Sequence, residues 1–162
     1  MASTTTTRFR TAQWDRARVA HLRVASDFAR HLRQIASPVQ ICYQQLMQAY
    51  KGEPVGIECR SIHREAWGFV APEMSGTEPW RIQRFDEDGF VGHTCHNSLQ
   101  DAVESLLDEG FRVPDPGALD RIGASERWAR GVRLAAVRQK FQEGLITYQQ
   151  MLEEALAFQE VA

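Results

Sequence analysis

At 162 residues the chain fits one domain, long enough to bury a core without a disulfide or metal staple. Its 43% hydrophobic and 25% charged residues are globular values, and no apolar run approaches the roughly 20 residues of a bilayer crossing, which excludes a membrane protein. The net charge of −2 hides a banding: residues 1–50 hold seven Arg against two Asp, and residues 51–162 hold 12 basic against 19 acidic side chains.

Met1 to Thr7 is small and hydroxylated, with no apolar stretch behind it, so residues 1–10 read as a flexible tail and not as a secretory signal. Arg8 and Arg10, with no acid before Asp15, leave a short transit peptide as the other reading. Cys42, Cys59 and Cys95 form an odd, scattered set that fits reduced thiols in a cytoplasmic protein.

From Thr11 to Ile35 the pattern predicts one long helix, with Trp14, His21, Ala25, Phe28, Leu32 and Ile35 on one face. Ser37-Pro38-Val39-Gln40 reads as a new helix start, with serine as cap and proline in the first turn. That helix should end at Gly52 before Pro54. Val55, Ile57 and Cys59 then alternate as a strand, and Ala66 to Val70 gives a second, ended by Pro72. Trp80–Phe85 and Phe90–Cys95 flank Asp86-Glu87-Asp88-Gly89 as a hairpin. Asn97 or Ser98 caps a helix carrying Leu99, Ala102, Val103, Leu106 and Leu107. Phe111 to Val113 adds a short strand before the turn at Pro114 to Gly117. Helices from Ser125 to about Gln142 and from Thr147 onward, separated by Gly144, close the chain as a hairpin.

The predicted fold class is α+β: a small antiparallel sheet packed by four or five helices, with a C-terminal helical hairpin. Residues 1–10 are the tail, 11–113 the α+β domain, and 118–162 the hairpin, packed on the same domain or projecting as an arm.

Few residues suggest chemistry. Cys59, His63, His93, Cys95 and His96 supply enough sulfur and imidazole for zinc. On a strand, however, His93 and Cys95 share a face while His96 turns to the other, and no C-x₂-C pair exists. A Cys95 nucleophile would need a base from a distant segment. Asp86, Glu87, Asp88 and Gly89 lack the later glutamate of a calcium loop. Walker, dinucleotide-binding and zinc-protease motifs are absent. The expectation is therefore no metal, no cofactor and no catalytic residue, with a small enzyme or zinc protein using Cys95 as the third reading.

The arginines offer more. Arg127, Arg130 and Arg133 line one helix face, and Arg16, Arg23 and Arg30 form a second stripe, both suited to phosphates. Arg23 and Arg30 each also have Asp27 within pairing distance on a helix. The acidic region 86–109, led by Asp86, Glu87 and Asp88, suits a basic partner surface, a second copy of the chain in a homodimer, or mimicry of a phosphate backbone. It suits equally the chain's own basic helices.

Two local patterns are familiar. Trp80 to His93, followed by the capped helix ending Leu107-Asp-Glu-Gly-Phe111, resembles hairpin-plus-helix modules in accessory proteins of plasmids, phages and integrative elements. Phe141 to Met151 is similar to C-terminal helical hairpins with a G-x-I-T turn, which accompany many activities. The first resemblance implies a mobile-element accessory protein that binds nucleic acid or host machinery, some being defence inhibitors. The functional expectation is a non-enzymatic cytoplasmic protein that binds a nucleic acid or nucleoprotein machine, and the rival is a protein-only inhibitor or adaptor using the acidic region.

Overall fold

The computed structural model describes residues 9–20 and 26–158. Within them the order is α1 (Ala12–Ala20), α2 (Ser26–Ala49), β1 (Cys59–Ser61), β2 (Trp67–Pro72), β3 (Trp80–Asp86), β4 (Gly89–His96), α3 (Leu99–Asp108), β5 (Phe111–Pro114), α4 (Ala118–Gly123), α5 (Glu126–Gln142) and α6 (Tyr148–Ala157). The strands form one antiparallel sheet in the order β4-β3-β2-β1-β5, so the fold class is α+β. Among the described residues no helix is long and apolar enough to cross a membrane.

The sheet's two faces are covered by different helices. Alternation along β2 and β3 sends Val70 and Ile82 to one face, where α3 lays Ala102, Val103, Leu106 and Leu107 across the strands. Helix α2 packs behind α3 through Val39, Tyr43, Leu46 and Met47. The same alternation sends Phe85 to the opposite face, beside its β2 partner Trp67. There α4 contributes Ala118, Leu119 and Ile122, and α5 contributes Trp128. The Trp128 ring meets Phe85 and Phe90 edge-on, with centroids 6.0 and 5.2 Å away.

Three helix starts carry side-chain caps. Ser98 accepts from Asp101 N, Ser125 from Trp128 N, and Thr147 and Gln150 form a reciprocal capping box. The expected helix start at Ser37-Pro38 is replaced by one helix running through Pro38. Proline in a helix interior forfeits a hydrogen bond and costs about 3 kcal/mol. Burial of Ala36, Val39, Gln40 and Tyr43 on one face spans the site and keeps the helix in register. The buried face is also rotated one residue from expectation: Ala29 and Ala36 are buried, whereas Phe28 and Ile35 are half-exposed. Small residues there admit α1, which packs against α2 through Ala17. His21 and Ala25, also assigned to that face, lie outside the described residues.

Strand β1 is shorter than expected, and Val55 forms an isolated bridge to Val70. Helix α4 was not anticipated. The C-terminal pair α5–α6 packs on the sheet through α5, and α6 packs on α5; Tyr148, Leu152 and Leu156 of α6 and Leu145 of the turn before it stay exposed.

Gly131 lets α5 lie against the β3–β4 turn, because a Cβ there would overlap the Asp88 carbonyl. Gly131→Ala should lower stability by about 1–3 kcal/mol despite alanine's better helix propensity. Urea unfolding followed by tryptophan fluorescence checks this, and an unchanged or raised midpoint contradicts the packing.

Candidate functional site

A concavity lies between α1 and α2, and buried polar latches set its shape. Gln40, 7% exposed, accepts from Thr11 N at 2.8 Å and donates to the Phe9 carbonyl at 2.9 Å. Thr11 caps α1 through Trp14 N, and the Glu104 carboxylate of α3 accepts from Ala12 N and Gln13 N at 2.7 and 2.8 Å. A carboxylate at a helix N-terminus satisfies free amides and opposes the positive end of the helix dipole. The nearby Tyr43 hydroxyl is pushed up to about 12 by burial, then by Glu104 and Asp101.

These latches leave a cleft of about 450 Å³ lined by Arg10, Trp14, Arg18, Arg33, Ser37 and Gln44, among others. A more open lobe beside it adds Arg30 and Gln34. Asp15 reaches Arg10 at 3.8 Å and Arg18 at 3.4 Å, so one carboxylate serves two guanidiniums. Arg33 donates weakly to the Ala29 carbonyl, and among the described residues it pairs with no carboxylate. The lining therefore carries excess positive charge around an indole, a pairing suited to a phosphate beside a stackable ring.

The two surfaces expected from the sequence are brought to each other. Arg127 forks onto Asp88, with Nε to Oδ1 at 2.9 Å and Nη2 to Oδ2 at 2.8 Å, and its Nη1 also pairs with Glu87. Asp86 accepts from Asp88 N within the turn. Arg127 donation, followed by the charges of Arg127 and Arg130, holds the Asp88 carboxyl below its usual range. The Arg133 guanidinium lies 5.5 Å from the Phe158 ring centroid. Arg127 thus ties α5 to the acidic turn of the β3–β4 hairpin, while Arg133 faces the end of α6. Two further carboxylates of the acidic region are occupied: Glu104 caps α1, and Glu109 pairs with Arg84.

The second stripe is divided. Arg16 lies exposed on α1, Arg30 pairs with Asp27 on α2 at 3.2 Å, and Arg23 lies outside the described residues. With α1 ending at Ala20 and α2 beginning at Ser26, a seven-residue spacing does not align Arg16 with Arg30. The cleft arginines Arg10, Arg18 and Arg33 were missed. Their signal was Arg10, Trp14 and Arg18 at intervals of four, an aromatic between two cations.

The sulfur and imidazole groups also separate. Cys59 is fully buried, and burial, then Glu58 and Cys42, pushes its thiol up to about 12, which keeps it a neutral core side chain. Register pairs Gln83 with His93 and Arg81 with Cys95, and it pairs Thr94 and His96 with Ile82 and Trp80, on the other face. His93 and Cys95 meet Glu73 instead: one ligand-type atom from each lies within 4.8 Å of the other two.

Comparison of the chain with protein-family models, curated proteins and solved structures returned no match.

The Asp88 shift fixes the sign of a pH effect. Its folded value lies below the ordinary one, so the stabilisation is complete above the usual carboxylate value of about 3.9 and disappears as pH falls through the folded value. Arg127→Ala should melt below the parent protein at neutral pH, with the difference narrowing in acid below that value. Calorimetric melts across pH check this, and a difference independent of pH contradicts the pairing.

Proposed function

We propose that this chain is a non-enzymatic binding protein for nucleic acid, and that the α1–α2 cleft holds a single strand. The observation that supports this is the convergence of Arg10, Arg18 and Arg33 on Trp14 in one concavity. Guanidiniums bind phosphate oxygens through forked hydrogen bonds and release counterions, while the indole offers a face to a base. Ser37 and Gln44 line the same cleft and add neutral hydrogen-bonding groups for sugar or base edges. An accessory role of the kind implied by the resemblance of residues 80–111 to mobile-element modules would be compatible with such binding. The acidic turn carries no second reading, because Asp88 and Glu87 are already paired with Arg127.

The test is anisotropy of labelled single-stranded DNA and RNA titrated with the full chain at several salt concentrations. The parent protein should bind with salt-dependent affinity, and a double Arg18→Ala, Arg33→Ala variant should flatten the logarithmic salt slope by about 1.4 if both side chains contact phosphates. Trp14→Ala should lose roughly 1–3 kcal/mol of affinity if the indole stacks on a base. Arg138→Ala, on α5, should bind like the parent. Absence of binding, or binding indifferent to the cleft substitutions, would falsify the proposal and return attention to a protein partner.

A further inference from the structure

We propose that Glu73, His93 and Cys95 form a site for a thiophilic divalent transition metal, zinc by its ligand chemistry, on the sheet face that also carries Arg81 and Gln83. The inference is independent of the α1–α2 cleft.

Strand geometry makes the arrangement. His93 and Cys95, two residues apart on edge strand β4, project on the same side as their β3 partners Gln83 and Arg81. Glu73 follows β2 immediately and is held to the far end of the 73–79 connection, its N–H donating to the Pro79 carbonyl at 2.9 Å. Its carboxylate thereby reaches His93 and Cys95, with one ligand-type atom of each residue within 4.8 Å of the other two. Ligand atoms around tetrahedral zinc lie about 3.3–3.7 Å apart, given metal–ligand bonds of about 2.0–2.3 Å. Closing the set therefore takes a movement of about 1 Å. His93 has the freedom to supply it, since its side chain is exposed and has no hydrogen-bond partner among the described residues.

Glu73 is prepared in the way metal-binding carboxylates are prepared. Its side chain is only 7% exposed, and one oxygen accepts from both the N–H and the hydroxyl of Ser75, at 2.8 and 2.9 Å. Those bonds fix the carboxylate's orientation. Arg81 is the competing explanation, because its Nη1 lies 3.6 Å from the other carboxylate oxygen. That contact is long and single, and the buried Arg81 Nε has no hydrogen-bond partner. A carboxylate placed to serve Arg81 would engage the guanidinium fork, as Glu109 does for Arg84 and Asp88 for Arg127.

One imidazole, one thiolate and one carboxylate make a three-ligand set with a fourth position open to water or an exogenous ligand. The sulfur selects zinc, cobalt or copper over magnesium and calcium. Metal bound there would displace the thiol proton, so occupancy falls in acid, and it would tie edge strand β4 to the 73–79 connection.

The test is titration of the full, reduced chain with Co²⁺ alone, followed by its absorption spectrum. One Co²⁺ per chain should give a thiolate-to-metal charge-transfer band that Zn²⁺ abolishes. Cys95→Ser should remove the band, and His93→Ala and Glu73→Gln should each weaken affinity by more than about tenfold. His96→Ala, on the other face, and Cys42→Ser should leave the spectrum intact. Exposed His93 makes His93→Ala the safest variant for folding, confirmed by an unchanged far-UV dichroism spectrum. No band, a band surviving Cys95→Ser, or affinities unchanged by both His93→Ala and Glu73→Gln would overturn the assignment.

Discussion

The seating of α3 on the sheet is the constraint from which the other positions follow. Leu106 lies so close to β2 that a Cβ on Gly68 would stand 2.8 Å from its Cδ1, with the Phe111 ring 3.4 Å away. Ala102, Val103, Leu106 and Leu107 of α3 are buried there, and a fully buried Val or Leu side chain contributes roughly 1.5–3 kcal/mol. Once α3 is fixed, its opposite flank receives α2, and its Glu104 receives the first amides of α1. The cleft between α1 and α2 is therefore a consequence of core packing, transmitted by one carboxylate and one buried glutamine. Rigid placement of that kind is what a binding site built on helices needs.

The charge banding resolves into local neutralisation. The acidic turn is answered by Arg127, Glu109 by Arg84, and Asp115 by Arg121 and the Trp67 indole N–H. Most of these groups are partly exposed, so they orient neighbouring elements more than they hold the fold together. Matched charges also cancel each other's field toward a distant partner. Positive charge around the cleft is matched less completely, since Asp15 faces Arg10 and Arg18 together. A surface with many arginines can thus have its useful field in a place that counting residues along the chain does not reveal.

Signals written within a few residues were legible in the sequence. Ser98, Ser125 and Thr147 cap helices because cap geometry is settled between a side chain and amides two or three positions away. The β3–β4 hairpin was legible for the same reason, through its alternation and Gly89 at a φ of 125°. Pro38 misled, since its local preference yields to burial along a 24-residue helix. The buried face of α2 was displaced because α1 packs on the small residues Ala29 and Ala36, and that choice depends on a partner helix. Of the candidate sites, the opposed faces of Cys95 and His96 were readable from strand periodicity. The contribution of Glu73 was not, because it arrives across β3 from outside the His-Cys run. Likewise Arg33 joins Arg10 and Arg18 only when α1 folds back on α2.

The claim that the cleft is the nucleic-acid-binding surface is tested most directly by amide and indole chemical-shift mapping. The ¹⁵N-labelled chain would be titrated with a short single-stranded oligonucleotide at low salt. Shifts concentrated on the Trp14 indole N–H and on the amides around Arg18, Arg33 and Ser37, with α5 unmoved, are the predicted result. Shifts confined to α5 and the β3–β4 turn, or no shifts at all, would contradict it.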